Sequence, residues 1–270
     1  MIDLASNGGG AGLVPDRVTL ETHEVLDSTN LTARERALAG AAAWTVVQAT
    51  EQRAGRGRRE REWTSPRGNL YTSTILRPQN GQEGGPQSGL QTWAQLSFVA
   101  ALAVAEAAAQ AVPGTDIQLK WPNDVLAGGR KLSGILLETV AAPGGGGAVI
   151  VGVGVNIASF PGQTRYGATC LDLLAGRPIT VKAVRAGYLI ALTYWYDIWV
   201  VQGFSKIRAA WLERAFGLGR EMEVDDENGP PLQGRFVGLG EDGRMMLEFP
   251  DGAVRLIAAG TVGLLQRTET

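Results

Sequence analysis

The chain has 270 residues, and its 25 lysines and arginines nearly balance its 27 aspartates and glutamates. The formal net charge of −2 argues against a long polyanion as the main partner, because nucleic-acid-binding domains are usually strongly basic. The single Cys170 excludes an internal disulfide. Together with the single His23, it argues against a zinc site of the usual type and against a Ser–His or Cys–His nucleophile pair.

The N-terminal segment and the lack of a long apolar run predict a soluble, cytoplasmic protein. Residues 1–17 carry four glycines and no apolar core of a signal peptide, so we expect a flexible lead-in. The longest uncharged apolar run, residues 186–196, is too short for a bilayer span, which needs about 20 residues. We therefore expect no membrane partner.

Residues 18–218 are expected to form one mixed domain of strands and helices. Residues 18–25 alternate between apolar and polar side chains, which is typical of a strand. Residues 27–30 are all favourable N-cap types and precede a predicted helix over 31–39. Gly128–Gly129 and residues 143–147 indicate two hairpin turns. Further strands are predicted at 44–49, 70–76, 117–121, 132–140 and 148–157, and further helices at 91–111, 181–202 and 204–216.

The sequence pattern changes after a predicted domain boundary at residues 217–219. Short strand-like segments then alternate with turns such as Asn228–Gly229 and Asp251–Gly252. This spacing is typical of a small all-β barrel of about 50 residues. The predicted strands are 221–224, 232–237, 244–249 and 253–257.

The most informative segment is an arginine loop, residues 53–61, in which five of nine residues are arginine. Gly55 and Gly57 alternate with the arginines. Glycine lets backbone N–H groups approach a ligand closely, and arginine presents a rigid fork of donors to carboxylate or phosphate. The segment predicts a loop that closes over a small anionic ligand. The alternative is a solvated charge run that Glu51, Glu60 and Glu62 partly offset.

Three more polar segments interrupt apolar surroundings, and each has a structural alternative. Ser28-Thr29-Asn30 either contacts a ligand or simply caps a helix. Residues 120–124 either belong to a site or form a turn rich in Pro, Asn and Asp. Lys120 and Lys131 stand beside apolar strand positions, where an ammonium needs an acidic or anionic partner. The glycine-rich run 152–157 is either part of a site or a bulge in the sheet.

Taken in this order, the four segments resemble the biotin protein ligases. The resemblance is carried by Ser28-Thr29-Asn30, the arginine loop, and Lys-Trp-Pro-Asn-Asp at 120–124 followed by Gly-Arg-Lys-Leu-Ser-Gly-Ile-Leu at 129–136. It implies an α+β fold, with a mixed sheet and helices like those of class II aminoacyl-tRNA synthetases at 18–218 and an SH3-like barrel at 219–270. Only 27 residues precede Ser28, so the chain resembles the ligases without an N-terminal DNA-binding domain, and neither a repressor role nor DNA binding is expected.

The resemblance also assigns site residues. Catalytic roles are implied for Lys131, Arg56 and Asp124, although a turn-stabilising role for Asp124 stays open. Trp44 is expected in the apolar wall of the vitamin pocket, and Glu60 departs from the glycine that the loop often carries. Contacts to biotin are implied for Ser28, Thr29, Asn30, Gln52, Gly55, Arg56, Gly57, Arg58, Lys131 and Gly134. Contacts to ATP or the adenylate are implied for Arg58, Arg59, Arg61, Trp63, Lys120, Asn123 and Asn156.

The implied reaction joins biotin to ATP, giving biotinyl-AMP and pyrophosphate, and then transfers biotin to a lysine of the biotin carboxyl carrier protein of acetyl-CoA carboxylase. Magnesium is expected to be carried mainly by the nucleotide, with no dedicated protein metal site. A homodimer is possible through an exposed sheet edge. The alternatives are a lipoate or octanoate protein ligase, a non-catalytic biotin sensor, and a nucleic-acid-binding module in which arginines contact phosphates and tryptophans stack on bases.

Overall fold

The computed structural model describes residues 14–78, 90–141, 147–162, 167–225, 230–258 and 260–264. Most of the predicted lead-in and most of the predicted hairpin turn at 143–147 lie outside these residues. Arg17, which was predicted to belong to the flexible lead-in, is instead held on a helix. Its guanidinium donates to both carboxylate oxygens of Asp197 at 2.9 Å and stacks 4.1 Å from the ring centre of Trp44.

The main element is a seven-stranded mixed sheet in the order β1-β2-β3-β7-β6-β5-β4. β1 and β2 are parallel, and the other neighbours are antiparallel. The central strands are nearly continuous runs of buried residues, as expected where both faces of a sheet are covered. The strands are β1 Thr19–Leu26, β2 Thr45–Gln52, β3 Leu70–Leu76, β4 Ile117–Lys120, β5 Asp124–Ala127, β6 Arg130–Ala141 and β7 Gly147–Val155.

The two faces of this sheet are covered differently. One face packs on the apolar helices α3 (Leu96–Ala111), α5 (Val181–Gln202) and α6 (Phe204–Leu212), which enclose the larger core. The opposite face carries α1 (Thr29–Leu38), which packs on a smaller buried cluster. Because side chains alternate along a strand, every second residue of β6 and β7 points to the α1 face. Within the described ranges, none of the helices combines the length and apolar character needed to cross a membrane.

A separate five-stranded antiparallel sheet follows, in the order β11-β10-β9-β8-β12. The predicted strands of this region are found, and a fifth strand, β12, is added to them. The indole N–H of Trp121, in the main sheet's β4–β5 turn, donates to the carbonyl of Gly243 at 3.1 Å, so the two sheets are in contact. The strands are β8 Glu221–Asp225, β9 Leu232–Leu239, β10 Met245–Glu248, β11 Val254–Ile257 and β12 Thr261–Leu264.

Two predicted helices need correction, and one observed helix was not predicted. The helix predicted over 91–111 is broken into α2 (Leu90–Trp93) and α3. The break lies at Gln95, whose side chain accepts from the indole N–H of Trp199 at 2.9 Å. The helix predicted over 204–216 ends at Leu212, because the following backbone bonds to β4 instead. The short helix α4 (Leu171–Ala175) was not predicted.

One buried amide organises the loop that follows β7. The side-chain oxygen of Asn69 accepts from the backbone N–H groups of Ile157, Ala158 and Ser159 at 2.8, 2.9 and 3.2 Å. The side-chain nitrogen donates to the carbonyl of Ser159 at 3.0 Å. Asn69 is 3% exposed, so these groups have little access to water. The amide therefore fixes the chain immediately after Asn156.

Replacing this amide should destabilise the protein. Asn69→Ala leaves the buried N–H of Ile157 without its acceptor, so we expect a loss of about 2 kcal/mol in the free energy of unfolding, measured in urea. Asn69→Asp is the companion variant: it keeps the acceptor for these N–H groups but replaces the donor to Ser159 with a charged oxygen. An Asn69→Ala protein within about 0.5 kcal/mol of the wild type would contradict this role.

Candidate functional site

A cavity of about 380 Å³ opens on the α1 face of the main sheet. It is lined by α1, the arginine loop, the turn between β4 and β5, strands β6 and β7, and β12 of the second sheet. All site residues predicted from the sequence line it except Trp44 and Gly55, the latter being buried in the loop behind. The structure thus brings together residues from 28 to 156 that are distant along the chain.

A row of neutral polar groups forms one part of the wall. The side-chain oxygen of Gln52 accepts from the backbone N–H and the hydroxyl of Thr29 at 2.8 and 3.1 Å, and its nitrogen donates to Ser65 at 2.9 Å. The hydroxyl of Ser73 lies 2.8 Å from that of Thr29 and 2.6 Å from the side-chain oxygen of Asn30. Thr29, Asn30 and Ser73 are almost fully buried. Buried groups linked in this way have fixed orientations.

The floor of the cavity consists of strand backbone, because glycines replace side chains there. A Cβ atom on Gly152 would overlap the amide of Asn30, and one on Gly154 would lie 2.5 Å from the indole nitrogen of Trp63. A Cβ on the facing Gly134 would lie 3.0 Å from the same indole ring. Asn30 and Trp63 therefore rest directly on the sheet.

The glycines also give the order of the groups along the cavity. Gly152 and Gly154 are two residues apart on β7, which corresponds to about 7 Å. The polar row at Gly152 is thus followed by Trp63 at Gly154, and then by Asn156 beyond the end of the strand. The site runs along β7 from neutral polar groups toward cationic ones.

The cationic part begins at Lys131. Its ammonium lies 2.7 Å from a carboxylate oxygen of Asp124 and 5.4 Å from the ring centre of Trp63. Both partners of the ion pair are partly exposed, at 32% and 21% of their side chains, so the pair is open to the cavity. Lys120 also lines the cavity and is only 5% exposed.

Two asparagine side chains near Lys131 and Lys120 form hydrogen bonds to the surrounding backbone, and one of them also binds an arginine. The side chain of Asn123 accepts from the guanidinium of Arg58 at 3.2 Å and donates to the carbonyl of Ile135 at 2.6 Å. Asn156 donates to the carbonyl of Thr169 at 3.1 Å. Each amide faces the cavity while also bonding to the backbone around it.

The arginine loop folds back on itself over the cavity. Gly57 N–H donates to Arg61 at 2.7 Å, and Trp63 N–H donates to Gly55 at 2.9 Å. Arg59 and Glu60 have φ of 60° and 56°, a left-handed conformation that costs about 1–2 kcal/mol for a non-glycine residue. The guanidinium of Arg59 reaches the hydroxyl of Thr261 at 3.3 Å, so the loop touches the second sheet.

Sequence reasoning missed three neighbours of the site and misplaced one. Glu138 contacts Asn30 and Arg56. The sequence could have indicated this residue, because side chains alternate along β6 and Glu138 therefore lies on the same face as the predicted site residue Gly134. Tyr71 donates to the carbonyl of Pro66 at 2.8 Å, and burial raises the pKa of Tyr71 to about 12, so it remains a neutral donor. Thr261 comes from the strand that was not predicted. Trp44 does not belong to the wall, since it packs edge-on against Tyr196 of α5.

Within the described ranges, no group of three or more His, Cys, Asp or Glu side chains is arranged to hold a metal ion. Asp124, the carboxylate that lines the cavity beside the lysine, is already paired with Lys131. The protein side chains described here therefore supply cations and neutral donors to the cavity more than they supply metal ligands.

A side chain at position 55 should open the arginine loop. A Cβ on Gly55 would overlap the carbonyl of Trp63 and the hydroxyl of Ser65, whereas one on Gly57 would make an ordinary 3.4 Å contact. Overpacking costs about 1–3 kcal/mol, so we expect Gly55→Ala to speed tryptic cleavage within the loop by about tenfold, followed by mass spectrometry. Gly57→Ala is the matched control and should change it little. Equal rates for the two variants would contradict the packing.

Glycine at position 60 should have the opposite effect. Glu60→Gly removes the left-handed strain and should slow tryptic cleavage after Arg59 and Arg61 by about twofold. The effect is small because glycine also gives the unfolded loop more backbone freedom, which partly offsets the relief of strain in the folded loop. Glu62→Gly, at a position without positive φ, should accelerate cleavage instead. If both variants are cleaved faster than the wild type, the left-handed conformation at Glu60 is not what limits the loop.

Comparison with known proteins agrees with this geometry. A model of the Biotin/lipoate A/B protein ligase family matches residues 22–156. The biotin–[acetyl-CoA-carboxylase] ligase of Paracoccus denitrificans is 39% identical over 86% of this chain and 95% of its own length. The bifunctional ligase/repressor BirA of Bacillus subtilis is 35% identical over 88% of this chain and 71% of its own length.

The solved structures give the same result for the fold. The biotin protein ligase from Aquifex aeolicus in complex with biotin and ATP superposes with a TM-score of 0.77 at 26% identity, covering 92% of this chain and 99% of that one. The match thus extends over most of the chain. On sequence and on structure alike, the chain belongs to the biotin/lipoate A/B protein ligase family.

Proposed function

We propose that the chain is a biotin–protein ligase that converts biotin and ATP into biotinyl-5′-AMP and pyrophosphate. It then transfers biotin to a lysine of the biotin carboxyl carrier protein of acetyl-CoA carboxylase. One observation carries the proposal: a single cavity joins a neutral polar row to a cationic region that contains Lys131, Lys120 and Arg58. The names and complexes of the relatives point to the same reaction.

The neutral row suits the head of biotin. A ureido group has two N–H donors and a carbonyl acceptor, and it needs hydroxyl and amide partners in a dry pocket. Ser28, Thr29 and Asn30, each at most 4% exposed, offer such groups beside Gln52. We assign this end of the cavity to the bicyclic ring of biotin, with the valerate chain running along the glycine floor toward Lys131.

The first reaction brings two anions together. The biotin carboxylate attacks the α-phosphorus of ATP, a new C–O–P linkage forms, and pyrophosphate leaves. The main task of the protein is therefore to neutralise charge and align the reactants. Lys131 is assigned to bridge the carboxylate and the α-phosphate, because its ammonium is held at the centre of the cavity by Asp124.

The arginine loop supplies the remaining positive charge. Arg56 is assigned to the carboxylate and the closing of the loop over biotin, and Arg58, Arg59 and Arg61 to the phosphates. Trp63, seated on the floor beside Lys131, is assigned to the adenylate side, together with Lys120, Asn123 and Asn156. A loop closed over the mixed anhydride also shields it from water.

The second reaction needs a base. The acceptor lysine must lose a proton before its amine attacks the carbonyl of biotinyl-AMP, after which AMP leaves. Asp124 is assigned to orient this amine and accept its proton, because its carboxylate faces the cavity 2.7 Å from the Lys131 ammonium. Magnesium is proposed to enter with the phosphate oxygens of ATP, as part of the substrate, in keeping with the predominantly cationic side chains around the cavity.

The second sheet is proposed to be an SH3-like barrel that holds the loop closed, and the main domain to be of the class II synthetase type. The hydrogen bond from Arg59 to Thr261 supports this role, since it ties the phosphate-binding loop to β12. The carrier protein is proposed to approach the open side of the cavity near Asp124. A homodimer through an exposed edge of the main sheet remains a prediction.

Removing the Lys131 ammonium should abolish adenylation. We expect Lys131→Ala to lower biotin-dependent pyrophosphate release from MgATP by about a hundredfold or more, because a preorganised cation facing the developing charge is lost. Lys182→Ala, on the exposed surface of α5, is the matched control and should retain wild-type turnover. Near-normal turnover of Lys131→Ala would remove the role assigned to this lysine.

The same assay separates the competing functions. Biotin-dependent release by the wild-type protein supports the proposed ligase, and transfer to a carrier protein completes it. Release that depends on lipoate instead would assign the chain to lipoate activation. If the protein binds biotin but releases no pyrophosphate, it is a sensor and the proposed reaction is wrong.

A further inference from the structure

Glu138 is a carboxylate at the site that the proposed reaction does not use. It lies on β6 and shares a face of the sheet with Gly134 and Leu136, because side chains alternate along a strand. One carboxylate oxygen accepts from the side-chain nitrogen of Asn30 at 2.7 Å. The other lies 3.5 Å from the guanidinium of Arg56. Its side chain is 27% exposed, so this is a partly shielded position for a charge.

The charge of Glu138 fixes which way the amide of Asn30 points. A carboxylate only accepts hydrogen bonds, so the NH₂ group of Asn30 must face Glu138. The amide oxygen must then face Ser73, whose hydroxyl lies 2.6 Å from it. Asn30 is 4% exposed and Ser73 is fully buried, and the backbone of Gly152 closes the other side of the amide. A flipped amide would place an oxygen against the carboxylate.

This orientation extends to the next hydroxyls. Ser73 has a single proton and gives it to the oxygen of Asn30, its nearest acceptor at 2.6 Å. The oxygen of Ser73 also lies 2.8 Å from the hydroxyl of Thr29, which itself donates to Gln52. The orientation that Glu138 imposes therefore extends through Asn30 to Ser73, from a residue that lies one step behind the cavity wall.

Arg56 connects the same carboxylate to the arginine loop. Its Nη2 atom approaches Glu138, while its Nε atom is buried with no partner among the described residues. A carboxylate beside a guanidinium in a partly shielded place restrains the position of the guanidinium and balances its charge. Glu138 thus touches the loop through one oxygen and the polar row through the other.

We infer that Glu138 is a positioning residue: it fixes the amide of Asn30 with its oxygen toward Ser73, so that Asn30, which lines the cavity, offers a ligand the second lone pair of that oxygen and selects a ring that presents N–H donors, such as the ureido ring of biotin. This inference rests on the proposed function for the identity of the ligand. Glu138 itself touches neither biotin nor the reacting atoms. Its effect reaches the ligand through Asn30 and, more weakly, through Arg56.

The test is Glu138→Gln, which keeps the shape of the side chain but offers a donor as well as an acceptor. The amide of Asn30 then becomes free to flip. We expect the KM for biotin in pyrophosphate release to rise about tenfold, the cost of one misdirected bond to a charged group. The kcat should change by less than about threefold, since the loss falls on binding and not on the reacting atoms.

Selectivity gives a readout that a merely structural role would not move. The probes are cyclic carbamate analogues of biotin, in which either ureido N–H is replaced by oxygen. The wild type should reject them, because two acceptor oxygens would face each other. In Glu138→Gln the preference for biotin over the better carbamate should shrink by about tenfold. An unchanged preference, with the variant folded and active, would overturn the inference.

A double variant guards against simple misfolding. In E138Q/N30D the new glutamine donates to the new carboxylate, and an acceptor again faces Ser73. Selectivity should return toward the wild-type value, and failure to recover it would count against the inference. Glu248→Gln, the same charge change on the second sheet, is the matched control and should leave KM and selectivity unchanged.

A measurement without ligand separates this inference from the proposed function. The side-chain NH₂ signals of Asn30, assigned by their loss in Asn30→Asp, should be protected from hydrogen exchange in the wild type. They should exchange faster in Glu138→Gln. This difference in exchange is expected even if the wild type releases no pyrophosphate. That result would reject the proposed ligase function but not the positioning role of Glu138. Equal exchange in both proteins would show that Glu138 does not hold the amide.

Discussion

The site depends on the close approach of two side chains to bare strand backbone. β6 and β7 pair with Gly134 opposite Gly154, and Gly152 follows on the same face. Without side chains there, the sheet admits Asn30 and Trp63 to its surface. Glycine inside a strand weakens it, since it adds backbone freedom and removes packing. The strands tolerate this loss because the opposite face is filled by the large core around α3 and α5.

The charges of the site are organised by carboxylates that hold cations in place without screening them from the cavity. Asp124 holds Lys131, and Glu138 holds Arg56, in both cases with partly exposed side chains. Pairs of this kind contribute little to stability, because solvent screens them and ordering long side chains costs entropy. Their value is positional. A cation already restrained near the reacting atoms needs little further ordering when an anion binds.

The fold was predictable where a pattern was local and long. The helix Val181–Gln202 was predicted with its observed bounds, because its apolar residues recur at helical spacing over six turns' worth of sequence. The break at Gln95 was not predicted, and the side chain there bonds to Trp199, more than a hundred residues away, a contact that no local pattern signals. The residues that line the cavity could be identified from the sequence because they belong to motifs. Glu138 belongs to none of these motifs, and its place at the site becomes evident only from the position of β6.

The middle of the arginine loop, from Arg56 to Arg59, is held at both ends by contacts with which a bound anion would compete. Arg56 lies against Glu138 at the near end, and Arg59 reaches Thr261 of the second sheet at the far end. Phosphate oxygens carry full negative charge, so they attract guanidinium groups more strongly than a hydroxyl does. Under the proposed function, a triphosphate in the cavity would therefore compete for Arg59 with Thr261, and the biotin carboxylate would compete for Arg56 with Glu138. The left-handed residues Arg59 and Glu60 lie directly at the second of these contacts, so a loop proposed to cover a reactive anhydride carries backbone strain where the nucleotide would draw Arg59 away from the second sheet.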